Sequence, residues 1–232
     1  MCLSISKKID RLINKLKLKF KNDLEVITCE TTRATKQLKL TYNVSYIMKK
    51  SSIPSKLNDI KYAMFIKWKN EGKYLIVIGQ NPSQSKTVRG FANNVDDTNW
   101  NIIKILNLNG YAGYIMLNTF PEIDPSGKNY TAQNLHMKDI GLNIRISKLI
   151  MKDLKRVKSI LACTTTNPVS KDYLKNVIRK HPMYMVSNPK TTHFATQAVF
   201  KLSLYKNMTI KRTKIKGVRF VNSNSRTCII DF

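Results

Sequence analysis

Four short apolar runs in this chain each end in a polar loop, and those loops hold the residue types that can do chemistry. They are Gly79-Gln80-Asn81-Pro82, Asn118-Thr119, Thr164–Asn167 and Ser187-Asn188-Pro189. Amides and hydroxyls dominate them, and carboxylates are scarce. An asparagine amide carries both a donor and an acceptor, so each loop can give and take hydrogen bonds. Metal chemistry has no comparable support. Cys2, Cys29, Cys163 and Cys228 are far apart, with no C-x-x-C pair and no close histidine. This spacing argues against a zinc site or a disulfide framework and predicts reduced thiols. No metal and no cofactor is expected. His136 and His181 carry no partner signal.

The elements that position these loops are legible from periodicity. Leu75-Ile76-Val77-Ile78 is too short for a core helix and rich in β-branched residues, so it reads as a buried central strand. Gly79 ends it, and Pro82 stops the ladder from continuing. Ligands in open α/β sheets bind beyond the carboxyl ends of strands, which makes Tyr74–Asp97 the stretch around which the chain is organised. Tyr114–Leu117, Ser159–Cys163 and Met183–Val186 are the next strands, while Ala63–Trp68 reads as an edge strand. Helices are predicted from Asp97 or Thr98 to Asn109-Gly110, over 134–156, over Lys171–Arg179 and from about Thr192 to Leu204. Strands alternating with helices predict a three-layer α/β/α domain with a central four-stranded parallel sheet. Its strand ends would meet on one edge.

Two further segments flank that domain. Residues 4–21 form a predicted basic amphipathic helix with Ile5, Ile9, Leu12, Ile13, Leu16 and Phe20 on one face. Docking on the domain is favoured over attachment to a membrane or to DNA. Residues 37–47 alternate as a half-buried strand, and a connector follows at Lys49–Ser55. Residues 1–60 are thus expected to be a basic extension packed on a domain spanning 61–232. Residues 208–232 suggest a basic hairpin or a loose tail.

Charge is the strongest global signal. Lys and Arg number 41 against 14 Asp and Glu, a formal net charge of +27 over 232 residues. Such a chain repels itself, and a polyanion relieves the repulsion by exchanging phosphates for counterions. Nucleic acid is the first candidate partner and an anionic membrane surface the second. No apolar run approaches the roughly 20 residues needed to span a bilayer. MCLSISKKIDRL lacks a signal-peptide centre, which predicts a cytoplasmic protein, expected as a monomer.

The order of strand–GQNPS, strand–LNTFP, a third strand and strand–SNP resembles the uracil-DNA glycosylase superfamily. More closely it resembles a family of uncharacterised bacterial proteins often carried on mobile elements. These share Asn81-Pro82-Ser83, Asp96-Asp97-Thr98, Gly110-Tyr111-Ala112-Gly113 and the strand-end Asn118, over about residues 61–205. The resemblance implies a water-activating loop at Gly79–Pro82, with Gln80 beside the base. The best-known branch has Asp where Asn81 stands, and the mismatch-directed branch has Asn. It implies that Phe91 stacks on an extruded base and that Asn118 reads the uracil edge. Asn188 and His193 would stabilise the leaving anion, and Ser83, Lys86, Arg89, Lys190 and Thr191 would hold DNA. A base must leave the stack to be cut, and stacking on an aromatic ring is worth roughly 1–3 kcal/mol. Asn118 could accept from uracil N3–H and donate to O4, which cytosine cannot match.

An amide at position 81 can orient water but cannot take its proton. The resemblance therefore implies either a slow glycosylase on single- or double-stranded DNA, or a DNA-binding protein on the same scaffold without catalysis. An enzyme for RNA or free nucleotides is a third class, which the charge disfavours.

Overall fold

The computed structural model describes residues 4–35, 38–50, 60–79, 97–122, 137–161, 168–178, 183–187, 209–212, 217–221 and 227–231. Helix α1 (Ile5–Lys19) begins at Ser4, whose hydroxyl accepts from the Lys7 backbone N–H. Strands β1 (Leu24–Ala34) and β2 (Lys39–Lys49) follow as an antiparallel hairpin, then β3 (Lys61–Lys67) and β4 (Lys73–Gly79). Helix α2 (Asp97–Leu108) leads to β5 (Tyr111–Asn118), and α3 (Met137–Asp153) to β6 (Lys158–Leu161). Helix α4 (Pro168–Ile178) leads to β7 (Met183–Ser187). Strand β8 (Thr209–Arg212) then joins the sheet, and β9 (Gly217–Val221) pairs with β10 (Thr227–Asp231) in a separate ribbon.

The sheet corrects the expected architecture. It is a mixed sheet of eight strands in the order β1-β2-β3-β5-β4-β6-β7-β8, rather than a central four-stranded parallel sheet with an extension outside it. Pairings β1/β2, β2/β3, β3/β5 and β7/β8 are antiparallel. Only β5/β4, β4/β6 and β6/β7 are parallel. The antiparallel half follows from β3, which was expected at an edge. It pairs on both sides, and its first six residues, Lys61–Ile66, are buried. A continuous apolar run marks a strand covered on both faces, and Tyr62–Ile66 is such a run. The hairpin β1–β2 then has a partner to extend. Hydroxyl pairs Thr28–Ser45 (3.0 Å) and Thr32–Thr41 (2.7 Å) tie its two strands.

Alternation along the strands sends side chains to two cores. Ile76, Ile78, Ile115 and Leu117 meet α1, α3 and α4 on one face. Leu75, Val77, Tyr114 and Met116 meet α2 on the other. Helix α1 docks through Ile9, Leu12 and Leu16, followed by Phe20, all buried. Lys15 pairs with Asp153 of α3 at 2.7 Å, across the joint between the two helices. Of the described cysteines, Cys29 carries a free thiol, whose pKa burial pushes up.

The Gly110-Tyr111-Ala112-Gly113 motif has a structural role. Gly110 stands at φ +75°, the left-handed conformation that ends α2 and that glycine adopts without strain. At Gly113 a Cβ would collide with the Ile66 carbonyl oxygen and the Tyr74 ring, where β3, β4 and β5 crowd together. Gly113→Ala is expected to destabilise the fold by about 1–3 kcal/mol, the usual range for overpacking. Urea denaturation would measure this, and a variant as stable as the parent would contradict the crowding.

Candidate functional site at the carboxyl edge of the parallel strands

The topology selects one edge of the sheet. The chain leaves β4 toward the face carrying α2. It leaves both neighbours of β4, β5 and β6, toward the opposite face, which carries α3 and α4. Open α/β sheets commonly bind ligands outside the strand ends where connections diverge in this way, which selects the end of β4, at Gly79, as the candidate position.

Asn118 stands at this point. It closes β5 in register with Gly79 and is 2% exposed. The Thr119 N–H donates to the Gly79 carbonyl at 3.0 Å, locking the two strand ends together. A Cβ on Gly79 would lie 3.0 Å from Asn118 Oδ1, so the missing side chain leaves room for the amide. Asn118 Oδ1 is buried and has no hydrogen-bond partner among the described residues. A buried acceptor left without a donor costs about 1–3 kcal/mol. Such an atom is suited to accept a ligand's N–H.

The backbone under Asn118 is held from the other face. Asn143 of α3, fully buried, donates through Nδ2 to the carbonyls of Asn118 (2.9 Å) and Thr119 (3.4 Å). One turn earlier on α3, the buried Asp139 accepts from Tyr62 Oη at 2.8 Å and from Lys49 Nζ at 2.8 Å. Each carboxylate oxygen of Asp139 thus has a donor, which makes the residue an anchor for α3 on β2 and β3. The Tyr62 hydroxyl is pushed far up from the ordinary phenol range. Burial is the main cause, followed by the hydrogen bond to Asp139 and its charge, with Asp23 and Glu122 adding to it. Glu122 is bridged to Ile60 at the same edge. Lys61 is 2% exposed, with its ammonium 5.0 Å from the centre of the Tyr46 ring.

Of the residues singled out in the sequence, Asn118 is described at this edge. Gln80, Asn81, Ser83, Lys86, Arg89, Phe91, Asn188, Lys190, Thr191 and His193 lie outside the described residues. Lys49, Tyr62, Asp139 and Asn143 were not singled out. A signal for two of them existed: Asp139 and Asn143 share the stripe of α3 that carries Ile146 and Ile150. Polar residues on a buried stripe must find partners there. Among the described residues no group of three or more His, Cys, Asp or Glu is placed to hold a metal ion. No helix among them is long and apolar enough to cross a membrane.

Two outcomes follow from this geometry. Asp139→Ala leaves the Tyr62 hydroxyl buried without its acceptor, while the half-exposed Lys49 returns to water. A loss of about 1–3 kcal/mol in unfolding free energy is expected, and a loss below about 0.5 kcal/mol in urea titrations would refute the anchoring role. Alkaline stability has a defined sign. Burial raises Tyr62, and it also pushes Tyr74 up to about 12. The fold therefore favours the neutral phenols. Their contribution is complete below about pH 10, the ordinary tyrosine value, and is lost as pH rises from there through the folded values. Thermal midpoints that stay flat from pH 9 to 12 would contradict this.

Comparison with known proteins places the chain without assigning it an activity. No curated protein matches it. Residues 61–196 match the family model described as a protein of unknown function, DUF1643. The match runs from β3 past β7 and includes Asn118, Asp139 and Asn143, whereas α1, β1 and β2 precede it. It covers more than half of the chain, which therefore belongs to the DUF1643 family.

Proposed function

We propose that this protein is a DNA-directed, uracil-DNA glycosylase-like enzyme that takes a uracil out of the stack and hydrolyses its N-glycosidic bond. The observation that carries this reading is Asn118. Its buried amide oxygen, without a partner among the described residues, stands where β4 and its neighbours send their connections to opposite faces. A flipped base is held by hydrogen bonds to its Watson–Crick edge, and uracil N3–H is a donor of the kind Asn118 Oδ1 lacks. The formal charge of +27 supports a long polyanion as substrate rather than a free nucleotide.

In this mechanism Asn118 reads the base while Gln80 and Phe91 complete its pocket. Water adds to the sugar carbon as the bond to uracil N1 breaks, and the proton it sheds ends on the departing uracil anion. Asn81 orients that water, and Asn188 and His193 stabilise the uracil anion as it leaves. Ser83, Lys86, Arg89, Lys190 and Thr191 hold the phosphates on either side. With an amide at position 81, no carboxylate there offsets the positive charge on the sugar, so turnover is slow. Asp139, on α3 at this end of the fold, already has a donor on each oxygen and is not a substitute base. The protein acts in the cytoplasm as a monomer. The amide at position 81 also favours a second reading, a DNA-binding protein on this scaffold that performs no chemistry.

Oligonucleotides bearing one deoxyuridine, single- and double-stranded, separate the two. They are incubated at low salt with excess protein and then treated with alkali. The expected result is strand scission, with Asn118→Ala slower by on the order of 100-fold or more, the scale of losing one well-placed polar contact. Tight binding without scission in the same tubes would leave the binding protein as the answer.

A further inference from the structure

The N-terminal helix lies outside the family match, yet it builds a second basic site at the opposite edge of the sheet. Helix α3 has 17 residues and is about 25 Å long at 1.5 Å per residue. Its first turns hold Asp139 and Asn143 near the strand ends. Its last residue, Asp153, and the turn into β6 lie at the far edge, against the first turn of α1. There a cleft of about 280 Å³ opens between the two elements. Lys8 of α1 and Lys155 and Arg156 of the turn line it over an apolar floor that includes Ile5 and Val157. Asp153 is the one acid on its wall, and Lys15 neutralises it at 2.7 Å. The cleft therefore presents three cations beside one acid that is already paired. Arg11, Lys17 and Lys19 on the exposed side of α1 and Lys148 and Lys152 on that of α3 extend the positive surface away from it.

We infer that this cleft binds the phosphodiester backbone of nucleic acid, as a contact separate from the strand-end pocket. An anionic membrane offers the same charge, but a helix that binds a membrane inserts its apolar face. The apolar face of α1 is already spent on the core, with Ile9, Leu12 and Leu16 each no more than 3% exposed. Leu18 is the exposed large apolar residue of this helix. What α1 offers outward is charge, and a polyanion matches it by releasing counterions. The inference extends the DNA-binding part of the proposed function and assigns α1 a role beyond the family region.

The test is the salt dependence of binding to a 30-base-pair duplex without uracil, read by fluorescence anisotropy on the full chain. Each phosphate contact contributes about 0.9 to the slope of log K against log salt. The triple variant Lys8→Ala, Lys155→Ala, Arg156→Ala is expected to lower that slope by about 2.7. The exchange Lys8→Arg, Lys155→Arg should preserve it. Circular dichroism and thermal midpoints confirm the fold of each variant. A slope unchanged in the triple variant, or a parent protein that does not bind the duplex, would overturn the inference. Charge-dependent binding to phosphatidylserine vesicles alongside an unchanged duplex slope would identify a lipid surface instead. Base release is read separately with the deoxyuridine oligonucleotides, so its absence beside a lowered slope in the triple variant counts against the glycosylase reading alone, and an unchanged slope in that variant against the cleft alone.

Discussion

The structure depends on burying a sheet that is apolar on both faces. Leu75–Ile78 of β4 are shielded from solvent, and all eight residues of β5 are buried. Strands of this kind cannot sit at a surface, so helices must cover each side. Helices α1, α3 and α4 cover one and α2 the other. That division makes the chain depart from β4 and from its neighbours in opposite directions, and the divergence brings Gly79 and Asn118 together at a sheltered edge. The position of the candidate site therefore follows from how the core is closed.

Polar groups at that edge fall into two kinds. Asp139, Tyr62 and Lys49 are engaged with one another and Asn143 Nδ2 with strand-end carbonyls, which fixes where α3 meets β3 and β5, although Asn143 Oδ1, like that of Asn118, has no partner among the described residues. Asn118 contributes its carbonyl to this arrangement, while its side-chain oxygen remains open among the described residues. The same residue thus has one end fastened and the other available. A recognition group needs this combination, because an amide that can swing pays the ordering cost again each time it binds.

The parallel strands and their helices were legible in the sequence because their patterns are strong. Leu75–Ile78 is a short β-branched run, and Leu142, Ile146, Ile150 and Leu154 keep helical spacing and are buried. The hairpin was half legible. Tyr42, Val44 and Tyr46 alternate in β2, but β1 went unread because Thr28, Glu30, Thr31 and Thr32 leave it little apolar contrast. Strand β3 was placed at an edge, although Tyr62–Ile66 has the unbroken apolar character of an interior strand. The difference lies in pairing, since sequence periodicity reports burial and does not report which strand lies next to which. Asn118 was found from its place after an apolar run. Asp139 is not legible as an anchor because its partners Tyr62 and Lys49 lie 77 and 90 residues away in sequence, and helical spacing does not report them.

The position of β3 has a consequence for how the family region stands by itself. The family match begins at residue 61, the first residue of β3. A fragment cut there would remove β2, the neighbour that pairs with β3 from Asn43 to Met48. It would also strip Ile9, Leu12 and Leu16 from the core they share with Phe65, Ile76 and Ile115. An interior strand would become an unpaired, apolar border, the feature that recruits other chains into edge-to-edge aggregation. In this chain the hairpin β1–β2 and helix α1 supply the cover for that border, so the residues outside the family match are part of what keeps the matched region folded.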